Sequence, residues 1–144
     1  MPTLTIHNPA TGQVLDERAA DDAASVAAKA AAARAAQTAW AATPLRERSS
    51  TIARFRASLV AELEMLARTL TLEVGKPISQ SRNEISGLLP RIDFFMAQTE
   101  AAIADEAVFD EGGMRERIGH VPLGLVANIS AWNYPYFVGC NVIV

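Results

Sequence analysis

Thiol chemistry is nearly absent from this sequence. Cys140 is the only cysteine in 144 residues, so no intramolecular disulfide can form, and a reducing, cytoplasmic setting is expected. Two histidines, His7 and His120, stand far apart without cysteine neighbours, which excludes the usual spaced metal-ligand set. A dominant charge is also missing. The 13 Lys and Arg and 16 Asp and Glu are scattered, the net charge is −3, and no basic stripe offers a nucleic acid a hold. No apolar run reaches the roughly 18 residues of a membrane span. Met1 to Asn8 lacks the basic run and apolar core of a signal peptide. Neither a G-x-G-x-x-G turn after a strand nor a Walker A loop is present, so the common phosphate cradles are excluded.

What is present begins with alanine. Hydrophobic residues make up 50% of the chain, but alanine supplies much of that share, so the core must come from Leu, Ile, Val, Phe and Trp. Leu4 to His7 alternates like a short strand, Asn8-Pro9-Ala10-Thr11-Gly12 carries turn chemistry, and Val14-Leu15 opens a second strand. Asp21-Asp22 starts a helical segment reaching about Ala42, with Val26, Ala30, Ala33, Gln37 and Trp40 on one face. That small-residue stripe predicts close packing against a neighbour. Thr43-Pro44 reads as an N-cap followed by proline at the first helical position. Ile52, Phe55, Leu59, Leu63, Leu66 and Leu70 then follow at helical spacing, and Gly75 and Pro77 stop the run. A third pattern carries Ile85, Leu88, Leu89, Ile92, Phe95 and Met96, with Pro90 inside it as a source of a kink.

Beyond Ala104 the pattern changes. Asp105 to Gly113 reads as an acidic surface connection and Arg115 to His120 as an exposed or edge strand. Leu125 to Ile129 is a short apolar run of the kind buried in parallel sheets. Ser130-Ala131-Trp132-Asn133-Tyr134-Pro135 follows it as a loop. Loops at the carboxyl ends of such strands bind ligands in open α/β sheets, and an asparagine there can donate to an oxygen that becomes negative during reaction. By composition alone, core packing accounts for these residues better than binding does. The acidic pairs Asp21-Asp22, Asp105-Glu106 and Asp110-Glu111 read as caps or solvated surface.

The stretch Pro122-Leu123-Gly124-Leu125-Val126-Ala127-Asn128-Ile129-Ser130-Ala131-Trp132-Asn133-Tyr134-Pro135 resembles the P-x-G-V-V-x-x-I-x-P-W-N-Y-P segment of the aldehyde dehydrogenase superfamily. Asn8-Pro9-Ala10-Thr11-Gly12-Gln13-Val14 is similar to that family's opening N-P-A-T-G-E-V, and Glu73-Val74-Gly75-Lys76-Pro77 to its E-x-G-K-P helix ending. The three matches occur in the family's order. Ala131 departs from the proline many relatives carry.

The resemblance implies an α/β fold of the aldehyde dehydrogenase type, present as its N-terminal part. Residues 1–114 would form a β-hairpin and three helices, 115–123 the strand of an oligomerisation arm. Residues 124–144 would supply the first strand, Trp-Asn loop and following helix of the cofactor-binding sheet. It implies oxidation of a small-molecule aldehyde to an acid with NAD or NADP as hydride acceptor, in a homo-oligomer without membrane or nucleic-acid partners. Asn133 would hold the oxyanion formed when a cysteine thiolate attacks the aldehyde. Ile129, Ser130, Ala131 and Trp132 would lie along the cofactor's adenosine half. The family nucleophile sits in a G-Q-x-C context that Gly139-Cys140-Asn141 does not match, so Cys140 is expected to be a buried structural thiol. The base also lies downstream in relatives, and the segment alone is expected to be inactive. Lys76 is expected to be a solvated charge near a helix end. Two rivals stand beside this reading: a non-enzymatic assembly module, and a thioester-forming or phosphate-dependent reductase, against which the W-N-Y-P loop argues.

Overall fold

The computed structural model describes residues 2–144. The chain opens with an antiparallel hairpin of β1 (Thr3–His7) and β2 (Val14–Ala19), with Leu4 opposite Arg18 and a bulge between Ile6 and His7. Its turn is built by side-chain mimicry of the backbone. Asn8 Oδ1 accepts from the Ala10 amide at 2.9 Å, and Gly12, at φ +72°, donates to the Asn8 carbonyl at 2.8 Å.

Helix α1 (Ala23–Ala42) starts at Asp22, which accepts from the Ser25 amide while the Ser25 hydroxyl accepts from the Asp22 amide. This reciprocal cap satisfies two otherwise orphaned donors. The expected close packing of its alanine face does not occur. α1 buries no residue, and Val26 and Trp40 are exposed. Thr43 also departs from expectation. Its hydroxyl donates to the Ala39 carbonyl and closes α1, leaving Pro44 as the cap of the next helix.

The long periodic run after Pro44 divides into α2 (Leu45–Ala61) and α3 (Leu63–Val74), which meet at Glu62 with φ −101° and ψ 10°. Four helices therefore stand where the spacing predicted three. Backbone propensity favours continuation, but the bend lets both apolar faces reach α4 (Ile78–Ala102). Ser81, Glu84, Ile85, Leu88 and Ile92 form the buried stripe of α4 at helical spacing. Leu88 and Ile92 pack with Leu59 of α2 and with Cys140 of α5 (Pro135–Ile143). Bidentate pairs fasten the outside. Arg56 binds Asp93 at 2.6 and 2.8 Å, and Arg82 binds Glu64 at 2.7 and 2.9 Å. Pro90 lies on the exposed side of α4, which stays helical through it.

A second antiparallel hairpin, β3 (Glu106–Glu111) and β4 (Met114–Ile118), projects with every residue exposed. The segment read as a surface connection is thus largely a strand, with Gly112 and Gly113, at φ +61° and +85°, making its turn. The expected buried strand at Leu125–Ile129 is not formed. Those residues are irregular and exposed, because no described strand lies beside them to complete a ladder.

Gly75 closes α3 at φ +80°, and a β-carbon there would come within 2.8 Å of Pro9 Cγ. The first hairpin's turn therefore rests on the α3–α4 corner. Gly75→Ala should lower stability by roughly 1–3 kcal/mol through the left-handed backbone alone, measured by urea unfolding. Adding Pro9→Ala should restore only the share due to crowding; a wild-type midpoint for Gly75→Ala would show that the corner is unconstrained.

Candidate functional site

The Trp132-Asn133 turn precedes α5, whose first residue, Pro135, suits a helix start because its missing amide hydrogen has no partner to lose. The next amides need acceptors, and α5 has no side-chain cap of its own. Glu84 supplies one from α4. Its Oε1 accepts from the Tyr136 amide at 2.9 Å and the Phe137 amide at 3.1 Å. A carboxylate there also matches the positive end of the helix dipole.

The other Glu84 oxygen pairs with Lys76, and their side chains are 0% and 9% exposed. Lys76 Nζ also donates to the Asn133 carbonyl at 3.0 Å and lies 3.7 Å from the centroid of the Tyr134 ring. The sequence-based reading of Lys76 as a solvated charge is therefore overturned. Buried charges are retained when paired and fully hydrogen-bonded, and this ammonium has a carboxylate, a carbonyl and an aromatic face. The signal was available in the sequence: Glu84 falls on the apolar stripe of α4, four residues before Leu88, where a carboxylate demands a partner.

The segment before the turn is pinned to the same helix. Asn128 Nδ2 donates to the Gly139 carbonyl at 2.9 Å, and the Ser130 hydroxyl donates to the Pro135 carbonyl at 3.2 Å. Gly139 permits this approach, since a β-carbon there would lie 3.3 Å from Ser130 Oγ.

Of the residues singled out for chemistry, Asn133 is exposed, and its side-chain amide has no hydrogen-bond partner among the described residues. Ile129 and Trp132 are 95% and 79% exposed, so two large apolar side chains face outward beside that amide. Ala131 is exposed as well, whereas Ser130 is half-buried and turned toward α5. A cavity of about 360 Å³, lined by Gln80, Asn83, Glu84, Gly87, Tyr134 and Phe137, lies on the neighbouring side of the turn. Ile129, Ala131 and Trp132 together form an outward apolar strip. That strip contains no cation.

Cys140 is buried at 6% exposure. Burial pushes its thiol up from the ordinary range, and the Glu84 charge adds to the effect. Tyr136 is raised too, first by burial and then by the charges of Glu73 and Glu84. Among the described residues, no group of three or more His, Cys, Asp or Glu could hold a metal ion. No described helix is long and apolar enough to cross a membrane.

The profile of the aldehyde dehydrogenase family matches residues 2–144. The chain is 32% identical over 136 residues to 3,6-anhydro-alpha-L-galactose dehydrogenase of Streptomyces coelicolor, covering 92% of this chain and 27% of the relative. It superimposes on an aldehyde dehydrogenase from Brucella melitensis with a TM-score of 0.89 at 25% identity, over 95% of this chain and 28% of that one. An indole-3-acetaldehyde dehydrogenase mutant from P. syringae, solved in complex with NAD+ and IAA, gives 0.88 at 29% identity, over 96% and 28%. The chain thus spans 27% to 28% of the length of these proteins.

A raised, buried thiol is a poor nucleophile, since the thiolate is the reactive form. Native Cys140 should react with iodoacetamide at pH 8 many-fold more slowly than the same thiol in urea. Its rate should keep rising at pH values where a free thiol has levelled off. Equal rates in folded and unfolded chain would contradict its burial.

Proposed function

The chain belongs to the aldehyde dehydrogenase family, and from that premise we propose that it forms the N-terminal part of an oxidoreductase. The reaction is oxidation of a small-molecule aldehyde to a carboxylic acid, with NAD or NADP accepting hydride. The observation that carries the reading is Asn133: an exposed carboxamide with no side-chain hydrogen bond among the described residues, at the turn the family resemblance assigns to oxyanion binding. Its N–H would donate to the negative oxygen that develops when a thiolate attacks the carbonyl. Donors that are held in place before charge develops stabilise it without reorganising during the reaction.

Ile129, Ala131 and Trp132 would lie against the adenosine half of the nucleotide. Their exposure and apolar character support this. Ser130 is assigned to the same strip, and its bond to Pro135 supports a role in shaping it. When bound, the nucleotide supplies the hydride acceptor; this chain contributes binding surface and one oxyanion donor. The attacking thiolate and the base would come from other parts of the enzyme, and the segment alone would be inactive. Residues 1–114 and 124–144 would belong to the cofactor-binding domain. Residues 115–123, entered from the projecting β3–β4 hairpin, would serve an arm that joins subunits of a homo-oligomer in the cytoplasm.

A second reading, a non-enzymatic assembly module, draws on the same hairpin, since all residues of both strands are exposed. Oligomerisation of the isolated 144-residue chain, measured by analytical ultracentrifugation, would favour it.

In the complete enzyme, Asn133→Ala should lower turnover on the order of 10²–10³-fold, the usual loss for one oxyanion donor. Steady-state kinetics with chemistry shown to be rate-limiting provides the check. Unchanged turnover would remove Asn133 from the reaction.

A further inference from the structure

We infer that Lys76 and Glu84 are positioning residues that aim Asn133, an inference that rests on the oxyanion role proposed above. The Asn133 side chain makes no hydrogen bond of its own among the described residues, so the structure controls it only through the backbone that carries it. That backbone is gripped on both sides. Lys76 holds the Asn133 carbonyl at 3.0 Å and covers the Tyr134 ring, while Glu84 holds the Tyr136 and Phe137 amides at 2.9 and 3.1 Å. The ion pair between them joins the two grips into one clamp.

The clamp is anchored away from the turn it holds. Lys76 sits in the short link between Gly75 and Pro77, and Glu84 lies on the buried stripe of α4 beside Ile85 and Leu88. Capping α5 needs only a neutral acceptor, and burying two charges carries a desolvation cost. The ammonium adds a bond from the α3–α4 corner to Asn133, whose exposed side-chain amide has no partner among the described residues. Oxyanion donors act by being fixed before charge develops. A displacement of about 1 Å can reduce turnover by about 10²-fold.

The test uses Lys76→Met/Glu84→Gln, which removes both charges, leaves no lone buried ion and keeps an acceptor for Tyr136 and Phe137. Nitrogen relaxation NMR on the 144-residue chain should show faster motion at Trp132, Asn133 and Tyr134, with Leu88, Ile92, Tyr136 and Phe137 unchanged. Unaltered order at Asn133, or loosening throughout α4, would overturn the inference. In the complete enzyme the double variant should lose about 10²-fold in kcat with KM for aldehyde and nucleotide preserved. The triple variant that adds Asn133→Ala should turn over no more slowly than Asn133→Ala alone. Independent, multiplying losses would overturn the positioning role while leaving the oxyanion role intact. Normal turnover in Asn133→Ala alone would instead overturn the oxyanion role, and the catalytic part of this inference with it.

Discussion

One desolvated ion pair organises the end of the molecule where chemistry is expected. Lys76 and Glu84 are drawn out of water by the packing of α3, α4 and α5, and every polar atom of the pair then needs a partner. Those partners are the Asn133 carbonyl and the first free amides of α5. The turn is consequently specified by two charges that are distant in sequence and adjacent in space. Loss of one member would leave the other buried and unpaired, a defect that typically costs about 3–5 kcal/mol. Neither charge can therefore drift independently of the turn.

The same corner receives the opening hairpin. Gly75 is the point where α3 ends, where Pro9 approaches and from which Lys76 departs. Three short segments that resemble one family's signatures are thereby brought to one neighbourhood: the Asn8–Gly12 turn, the Glu73–Pro77 helix ending and the Trp132–Pro135 loop. Their spacing along the chain gives no hint of this. Gly75, Lys76 and Pro9 meet at one junction there, and each serves a separate constraint on the same few ångströms.

Much of the helical frame was legible because burial is periodic. Leu59, Leu70, Ile85, Leu88 and Ile92 lie on the faces their spacing assigned. The break at Glu62 was not legible, since it is marked by neither glycine nor proline and reflects packing of both halves onto α4. The alanine face of α1 was misread because small residues permit close approach without requiring it. Leu125 to Ile129 reads as a buried strand by composition, but a strand exists only where a neighbour supplies hydrogen bonds. At the site, the Asn133 loop was visible through its residue types and family likeness. Lys76 was missed because a lysine beside a helix terminus is usually solvated, and only the carboxylate on the apolar stripe of α4 argues otherwise.

The bare surface of α1 has a dynamic corollary. Its 20 residues form a rod about 30 Å long, held by alanine propensity and a terminal box rather than by tertiary burial. The stability of a helix that buries no side chain depends on its length and on temperature. With few buried apolar contacts, the segment is expected to unwind at lower cost than α2 to α5. A macromolecular surface laid against its alanines would make this helix part of a larger folded whole.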